Sequence, residues 1–185
     1  MWFESILRKE TGCVAYMVGA DSGACAVVDP LWDIEPYLEE ARRRSSKIQY
    51  VIDSHSHADH ISGARRLAEA TGAELILHEL AEVEYPARRV TGGDRLELGD
   101  VSLAVIHTPG HRPEQISVAV IDHSRGEQPW CLLTADFLQV GDVARPDLAQ
   151  GGKEGAQTIF DVALPAVAEL PDFVEIYPGH VAGST

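Results

Sequence analysis

Residues 48–72 read I-Q-Y-V-I-D-S-H-S-H-A-D-H-I-S-G-A-R-R-L-A-E-A-T-G, which is a strand, a ligand-rich loop and a helix in that order. The run I-Q-Y-V-I-D reads as a strand and leads straight into S-H-S-H-A-D-H, residues 54–60. After that loop, Ile61, Ala64, Leu67, Ala68 and Thr71 recur at helical spacing with Arg65, Arg66 and Glu69 between them, and Gly72 closes the helix. Three imidazoles and one carboxylate therefore sit on a loop at the C-terminal end of a strand.

The flanking elements alternate in the same way. Upstream, Val14 to Val18 and Ala24 to Val28 are short apolar runs joined by G-A-D-S-G, which predicts a hairpin. A helix is expected from about Ile34 to Ser45, with Asp33 as its N-cap. Its acidic start and basic end suit the helix dipole, and Glu39 to Arg43 and Glu40 to Arg44 fall at i,i+4, so this arginine cluster is a solvated face. Downstream, strands are expected at Glu74 to Leu77, Arg95 to Leu98, Val101 to His107, Gln115 to Ile121 and Trp130 to Thr134. Gly151-Gly152 reads as a loop, and a helical region follows from about Glu154 to Glu169, kinked or divided by Pro165. A last strand, F-V-E-I-Y, ends at P-G-H. Hairpins and helices in both halves predict an α/β fold of two face-to-face sheets with helices outside.

Composition sets the limits. A chain of 185 residues that is 45% hydrophobic and 24% charged is expected to form one globular domain. A formal charge of −14 without clustered Lys and Arg argues against nucleic acid as a partner. No apolar run approaches the roughly 18–20 residues that span a bilayer, and M-W-F-E-S-I-L-R-K-E lacks the order of a signal peptide. A cytoplasmic protein without membrane partners is expected. Cys13, Cys25 and Cys131 form no C-x-x-C pair and read as small buried hydrophobes.

Three more strands end in a metal-ligand residue type: His111 in H-T-P-G-H, Asp136 in L-L-T-A-D, and His180 in I-Y-P-G-H. Loops at one edge of packed sheets converge, so His55, His57, Asp59, His60, His111, Asp136 and His180 are expected to surround one cleft and hold metal. Isolated histidines are usually surface or satisfied core residues, and His78, His107 and His123 are assigned that role.

The segments S-H-S-H-A-D-H-I-S-G, T-P-G-H, L-L-T-A-D and Y-P-G-H, in that order, resemble the metallo-β-lactamase superfamily along essentially the whole chain. That resemblance implies a four-layer αββα sandwich with the metal at one edge of the sheets. Within it, H-A-D-H-I-S-G-A, T-P-G-H-R-P-E-Q-I-S and G-D-V-A-R-P-D-L are similar to the persulfide dioxygenases, and V-D-P and P-G-H-V-A-G-S to the branch often fused to rhodanese domains. The resemblance treats residues 1–185 as one domain lacking C-terminal elements present in relatives. By position it implies that His55, His111 and Asp136 hold one Fe(II), and that His57, Asp59, His60 and His180 match residues completing zinc sites in hydrolytic relatives. Arg145 matches an arginine beside the substrate, and Asp59, His57 or His60 is expected to orient ligands and waters. Two departures stand out. Ala135 replaces a usual glycine, and V-A-G-S follows His180 where glutathione-using relatives carry an aromatic residue.

Two imidazoles and a carboxylate on one face of an octahedral ion leave positions for exchangeable ligands, as in non-haem Fe(II) oxygenases. The implied reaction oxidises a small-molecule persulfide, R-S-SH, with O2 and water to R-SH and sulfite. The rival on the same fold is a zinc hydrolase of thioesters, with His55, His57 and His111 around one Zn(II), Asp59, His60 and His180 around a second, and Asp136 between. A third alternative is a non-catalytic docking domain for a sulfurtransferase. Expected partners are the persulfide and O2, with a rhodanese-type sulfurtransferase as partner or fused domain and room for a homo-oligomer.

Overall fold

The computed structural model describes residues 1–149 and 151–181. Strands β1 (Trp2–Arg8), β2 (Cys13–Gly19) and β3 (Ala24–Val28) form an antiparallel meander. Helix α1 (Glu35–Arg43) leads to β4 (Lys47–Ile52), and α2 (Ala64–Thr71) leads to β5 (Glu74–His78) and then β6 (Arg88–Val90). Strands β3 to β6 run parallel, which completes a six-stranded sheet in sequence order. The second sheet contains β7 (Arg95–Glu97), β8 (Val101–His107), β9 (Ile116–Asp122) and β10 (Cys131–Ala135). A small hairpin, β11 (Leu138–Gln139) and β12 (Asp142–Val143), precedes helix α3 (Gly152–Thr158), a π-helical turn over Ile159–Ala163, and helix α4 (Leu164–Ala168). Strand β13 (Glu175–Pro178) then pairs parallel with β10, giving the order β13-β10-β9-β8-β7.

The side chains of β2 explain the layering. Val14, Tyr16 and Val18 meet Leu103, Val105, Val118 and Leu133 between the sheets, whereas Ala15 and Met17 meet Tyr37 and Ala41 of α1 and Leu67 of α2 outside. With both faces covered, the strand is apolar at every position. The helical run after β12 covers part of the other sheet, with Ile159 and Ala163 packed on Phe137 and Ala144. The result is the αββα sandwich expected from the sequence.

The sheets are tied together at the edge where β4, β10 and β13 end. The Val14 amide donates to the Gly179 carbonyl at 2.8 Å, the Tyr16 hydroxyl to the Pro178 carbonyl at 2.6 Å, and the Ile116 amide to the Ser54 carbonyl at 2.9 Å. Those bonds fix the loop bearing His180 to β2 and the loop bearing His55 to β9. Gly63 closes the same region: its amide donates to the Pro30 carbonyl at 2.8 Å, and a Cβ there would overlap the Leu31 carbonyl. Gly63→Ala must therefore force the β3–α1 loop off the histidine loop. A loss of about 2–4 kcal/mol is expected, read as a lower urea midpoint at unchanged slope.

Several sequence expectations need correction. Strand β1 was not foreseen, because its apolar residues serve both faces: Phe3 packs between the sheets while Trp2 and Ile6 pack on the helix side. That distribution hides the period-two alternation. Strand β6 has only Val90 buried, after two exposed arginines, so it too carries no pattern. Helix α1 begins at Glu35 after Ile34, which makes no side-chain cap bond, although the Asp33 carboxylate one residue earlier accepts the Glu35 amide at 3.3 Å. Arg43 and Arg44 both pair with Glu40, and Arg44 also reaches Glu4 at 3.1 Å; the Glu39 to Arg43 pair does not form. Ile61 precedes α2 and is exposed. Gly152 opens α3 rather than lying in a loop, and Pro165 sits in the first turn of α4, where its missing N–H is tolerated after the π turn. Of V-A-G-S after His180, only Val181 lies within the described residues. No described helix is long and apolar enough to cross a membrane.

Candidate metal centre

Backbone anchors place each ligand-type side chain. The Ser54 amide donates to Asp29 Oδ1 at 2.7 Å and the Ser56 amide to Glu114 Oε1 at 3.1 Å, so His55 is held between two buried carboxylates. Gly110, at φ +133°, lets the next loop pack on Ile159 and Gly155, and this brings His111 inward. Ala135 has φ +48° and turns Asp136 out of β10 toward both histidines. This left-handed conformation is the physical reason a glycine suits that position.

His55, His111 and Asp136 meet with their donor atoms within 4.8 Å of one another. Asp136 Oδ2 lies 3.5 Å from His111 Nε2 and 3.8 Å from His55 Nε2. His111 Nδ1 lies 3.1 Å from the Arg145 carbonyl, which can only accept, so the proton is on Nδ1 and Nε2 keeps its lone pair. His55 Nδ1 contacts Ser54 Oγ at 2.9 Å, and its buried Nε2 has no hydrogen-bond partner among the described residues. Burial, reinforced by the nearby His57 and His111, pushes the His55 pKa well below its ordinary value. A neutral imidazole whose orphaned Nε2 faces a carboxylate fits a divalent cation, which would satisfy that atom.

The other expected ligands do not all join this group. His57 Nε2 lies 3.3 Å from Asp29 Oδ1 and 3.9 Å from Asp53 Oδ1, and its ring lies 4.2 Å from that of His55, so the carboxylates hold one ring nitrogen as they do in many ligating imidazoles. Burial lowers the affinity of His57 for a proton, but the bond and charge of Asp29, with Asp53 adding, outweigh it and raise the pKa to about 9. Asp29 is correspondingly lowered against its own burial, while burial raises Asp53 to about 6. His60 Nδ1 bonds Asp59 Oδ1 at 3.1 Å and its Nε2 is buried without a partner. That bond, opposed by burial, holds the Asp59 carboxyl well below its usual range. His180 Nε2 bridges Asp136 Oδ1 at 3.2 Å and Asp59 Oδ2 at 3.6 Å, and the Asp136 bond raises its pKa.

A pocket of about 200 Å³ opens over these groups, lined by Ala58, Asp59, His111, Asp136, Arg145, Leu148 and His180. Arg145 is among these lining residues, and its guanidinium is paired with Asp147 at 2.9 and 2.8 Å. The histidines given a bland role stand elsewhere. His78 stacks on His107 at 4.2 Å, and His123 bonds Ser102 at 2.9 Å.

Three residues were missed as parts of the site. Cys13 is buried as expected, but its Sγ lies 3.3 Å from Asp59 Oδ2, and Cys13, Asp59 and His60 form a second metal-capable group. Asp29 and Asp53 form a third group with His57. An aspartate directly after each of two apolar strands was the available signal, since a carboxylate at the end of a buried strand needs a partner.

The metallo-beta-lactamase superfamily profile matches residues 8–180. Hydroxyacylglutathione hydrolase of Polaromonas sp. is 33% identical over 163 residues, covering 86% of this chain and 58% of that protein. Mitochondrial persulfide dioxygenase of Bos taurus is 28% identical over 155 residues, covering 80% and 57%. The crystal structure of a metallo-beta-lactamase from Staphylococcus aureus superposes with a TM-score of 0.93 at 32% identity, covering 100% of this chain and 57% of the other. The chain thus spans less than two thirds of these relatives. With the profile matched across both sheets and the ligand loops at their common edge, the chain belongs to the metallo-β-lactamase superfamily.

Proposed function

We propose that this domain is a non-haem iron dioxygenase converting a small-molecule persulfide to thiol and sulfite: R-S-SH + O2 + H2O → R-SH + SO3²⁻ + 2H⁺. The observation that carries this reading is the convergence of His55, His111 and Asp136, whose donor atoms lie within 4.8 Å of one another with Asp136 Oδ2 facing both Nε2 atoms. They are the two-imidazole, one-carboxylate set suited to one Fe(II). A dinuclear zinc hydrolase would instead draw on His57 through Nδ1, with Asp29 holding its Nε2. The Bos taurus relative supports the same activity, as the Polaromonas relative supports thioester hydrolysis.

When bound, Fe(II) would supply adjacent positions for persulfide and O2 and the electrons that activate O2. The chain's own groups do the rest. Asp59 stays ionised at the pocket wall and accepts hydrogen bonds from water or the persulfide S–H, and its low basicity suits orientation rather than proton abstraction. His180 Nε2, which favours its proton through Asp136, stands at the same wall and can protonate the departing carrier thiolate. Arg145, which lines the same pocket, fixes His111 through its carbonyl while its guanidinium stays paired with Asp147.

The Fe(II)-loaded protein given a persulfide should consume O2 in step with sulfite formation and be silent without O2. The zinc form should bind metal without turning over, since zinc has no redox chemistry. Thioester cleavage by the zinc form under argon, with the iron form inert toward persulfide and O2, would establish the hydrolase instead.

A further inference from the structure

Beside the metal pocket runs a second concavity of about 530 Å³. Val143, Ala144 and Pro146 form one wall, and Ile159, Phe160 and Leu164 form the other. Arg145 lines both cavities, and its carbonyl is the acceptor that fixes His111, so the groove is continuous with the metal-bearing loop. We propose that this groove binds the carrier arm of the persulfide, and that the arm is a neutral alkyl or aryl group rather than a charged peptide. The assignment rests on the dioxygenase reading and specifies its substrate class.

Size supports it first. Pockets that bury a drug-sized ligand span roughly 300–1,000 Å³. The metal pocket at about 200 Å³ falls below that range and the groove at about 530 Å³ within it. A persulfide with its S–SH end over the triad must extend its carrier out of the metal pocket, and Arg145 marks where the two cavities meet.

Chemistry decides the class. Among the described residues, the only charged ones lining the groove are Asp142 and Arg145, and Arg145 is already paired with Asp147. Nothing there neutralises the two carboxylates of glutathione or the phosphates of a nucleotide carrier, and the chain's charge of −14 repels both. An apolar arm meets no such penalty. Phe160 is 69% exposed although its neighbour Ile159 is buried, and both lie in the π turn, a distortion that recurs at functional sites. Covering Phe160 with an alkyl chain removes apolar surface from water on both partners.

The test compares hexyl persulfide with glutathione persulfide on iron-loaded protein, and measures hexanethiol binding by amide chemical shifts as a readout independent of turnover. The wild type should show the higher kcat/KM for hexyl persulfide, and hexanethiol should shift the Phe160 and Leu164 amides. Phe160→Ser should raise KM for hexyl persulfide about tenfold while moving that for glutathione persulfide far less. Phe173→Ser, which removes an equally exposed ring (64%) outside the groove, should change neither. Equal KM for the two persulfides, or no effect of Phe160→Ser, overturns the proposal. So does a concentration-dependent dimer that Phe160→Ser dissociates, because the groove's occupant would then be a second copy of the chain. If neither persulfide is oxidised the dioxygenase reading fails, and the hexanethiol shifts still decide whether the groove binds an apolar arm.

Discussion

Asp136→Ala is expected to reduce the metal that co-purifies with the protein to background, whereas His180→Ala keeps one ion per chain. Asp136 supplies the only carboxylate of the triad, with Oδ2 set between His55 Nε2 and His111 Nε2. Two neutral imidazoles without that anion make a weak site for a hard divalent cation, and loss of a direct ligand should exceed the roughly 10–100-fold loss seen for supporting residues. His180 instead touches the opposite oxygen, Oδ1, at 3.2 Å, where it orients the carboxylate. Metal analysis of both variants beside wild type checks this. Equal depletion by His180→Ala would mean that a second ion depends on it, and the two-metal hydrolase would become the better description.

How far the sequence carried this site depends on how local each contact is. His55, His111 and Asp136 were readable because each follows its strand within a few residues, and strand ends at one sheet edge must meet. The sandwich was readable for a related reason: β2, β3 and β4 are apolar on both faces, which demands cover on both sides. His57 lies with its ring 4.2 Å from that of His55, but the bond from its Nε2 to Asp29, 28 positions earlier, left no local mark in the sequence. Cys13 failed for the same reason. Its approach to Asp59 spans 46 positions, and a thiol in an apolar run carries no mark of a polar neighbour.

Asp29→Ala should destabilise the metal-free protein by about 3–5 kcal/mol, because it strands a buried imidazolium and the Ser54 amide together. Asp29→Asn separates the two losses, since its side-chain oxygen can still accept the Ser54 amide while the charge is gone; it should cost less than Ala and alter the pH profile most. His57 has a folded pKa of about 9 against an ordinary 6.5, so its stabilising contribution is complete below about 6.5 and disappears as pH rises toward 9. Asp29, lowered, contributes above its ordinary 3.8 and loses that contribution as the solution becomes more acidic. Asp53, raised to about 6, acts oppositely: its contribution falls as pH rises from its ordinary 3.8 to about 6 and stays constant above that. The three together predict greatest stability from this cluster on the acidic side of neutrality and a decline between about 6.5 and 9. Urea unfolding of metal-free protein across that range should show the decline in wild type and a flatter curve in Asp29→Asn, which removes the chief cause of the raised His57 pKa. Parallel curves would mean that the pair with Asp29 is not what holds the proton on His57 in the metal-free protein.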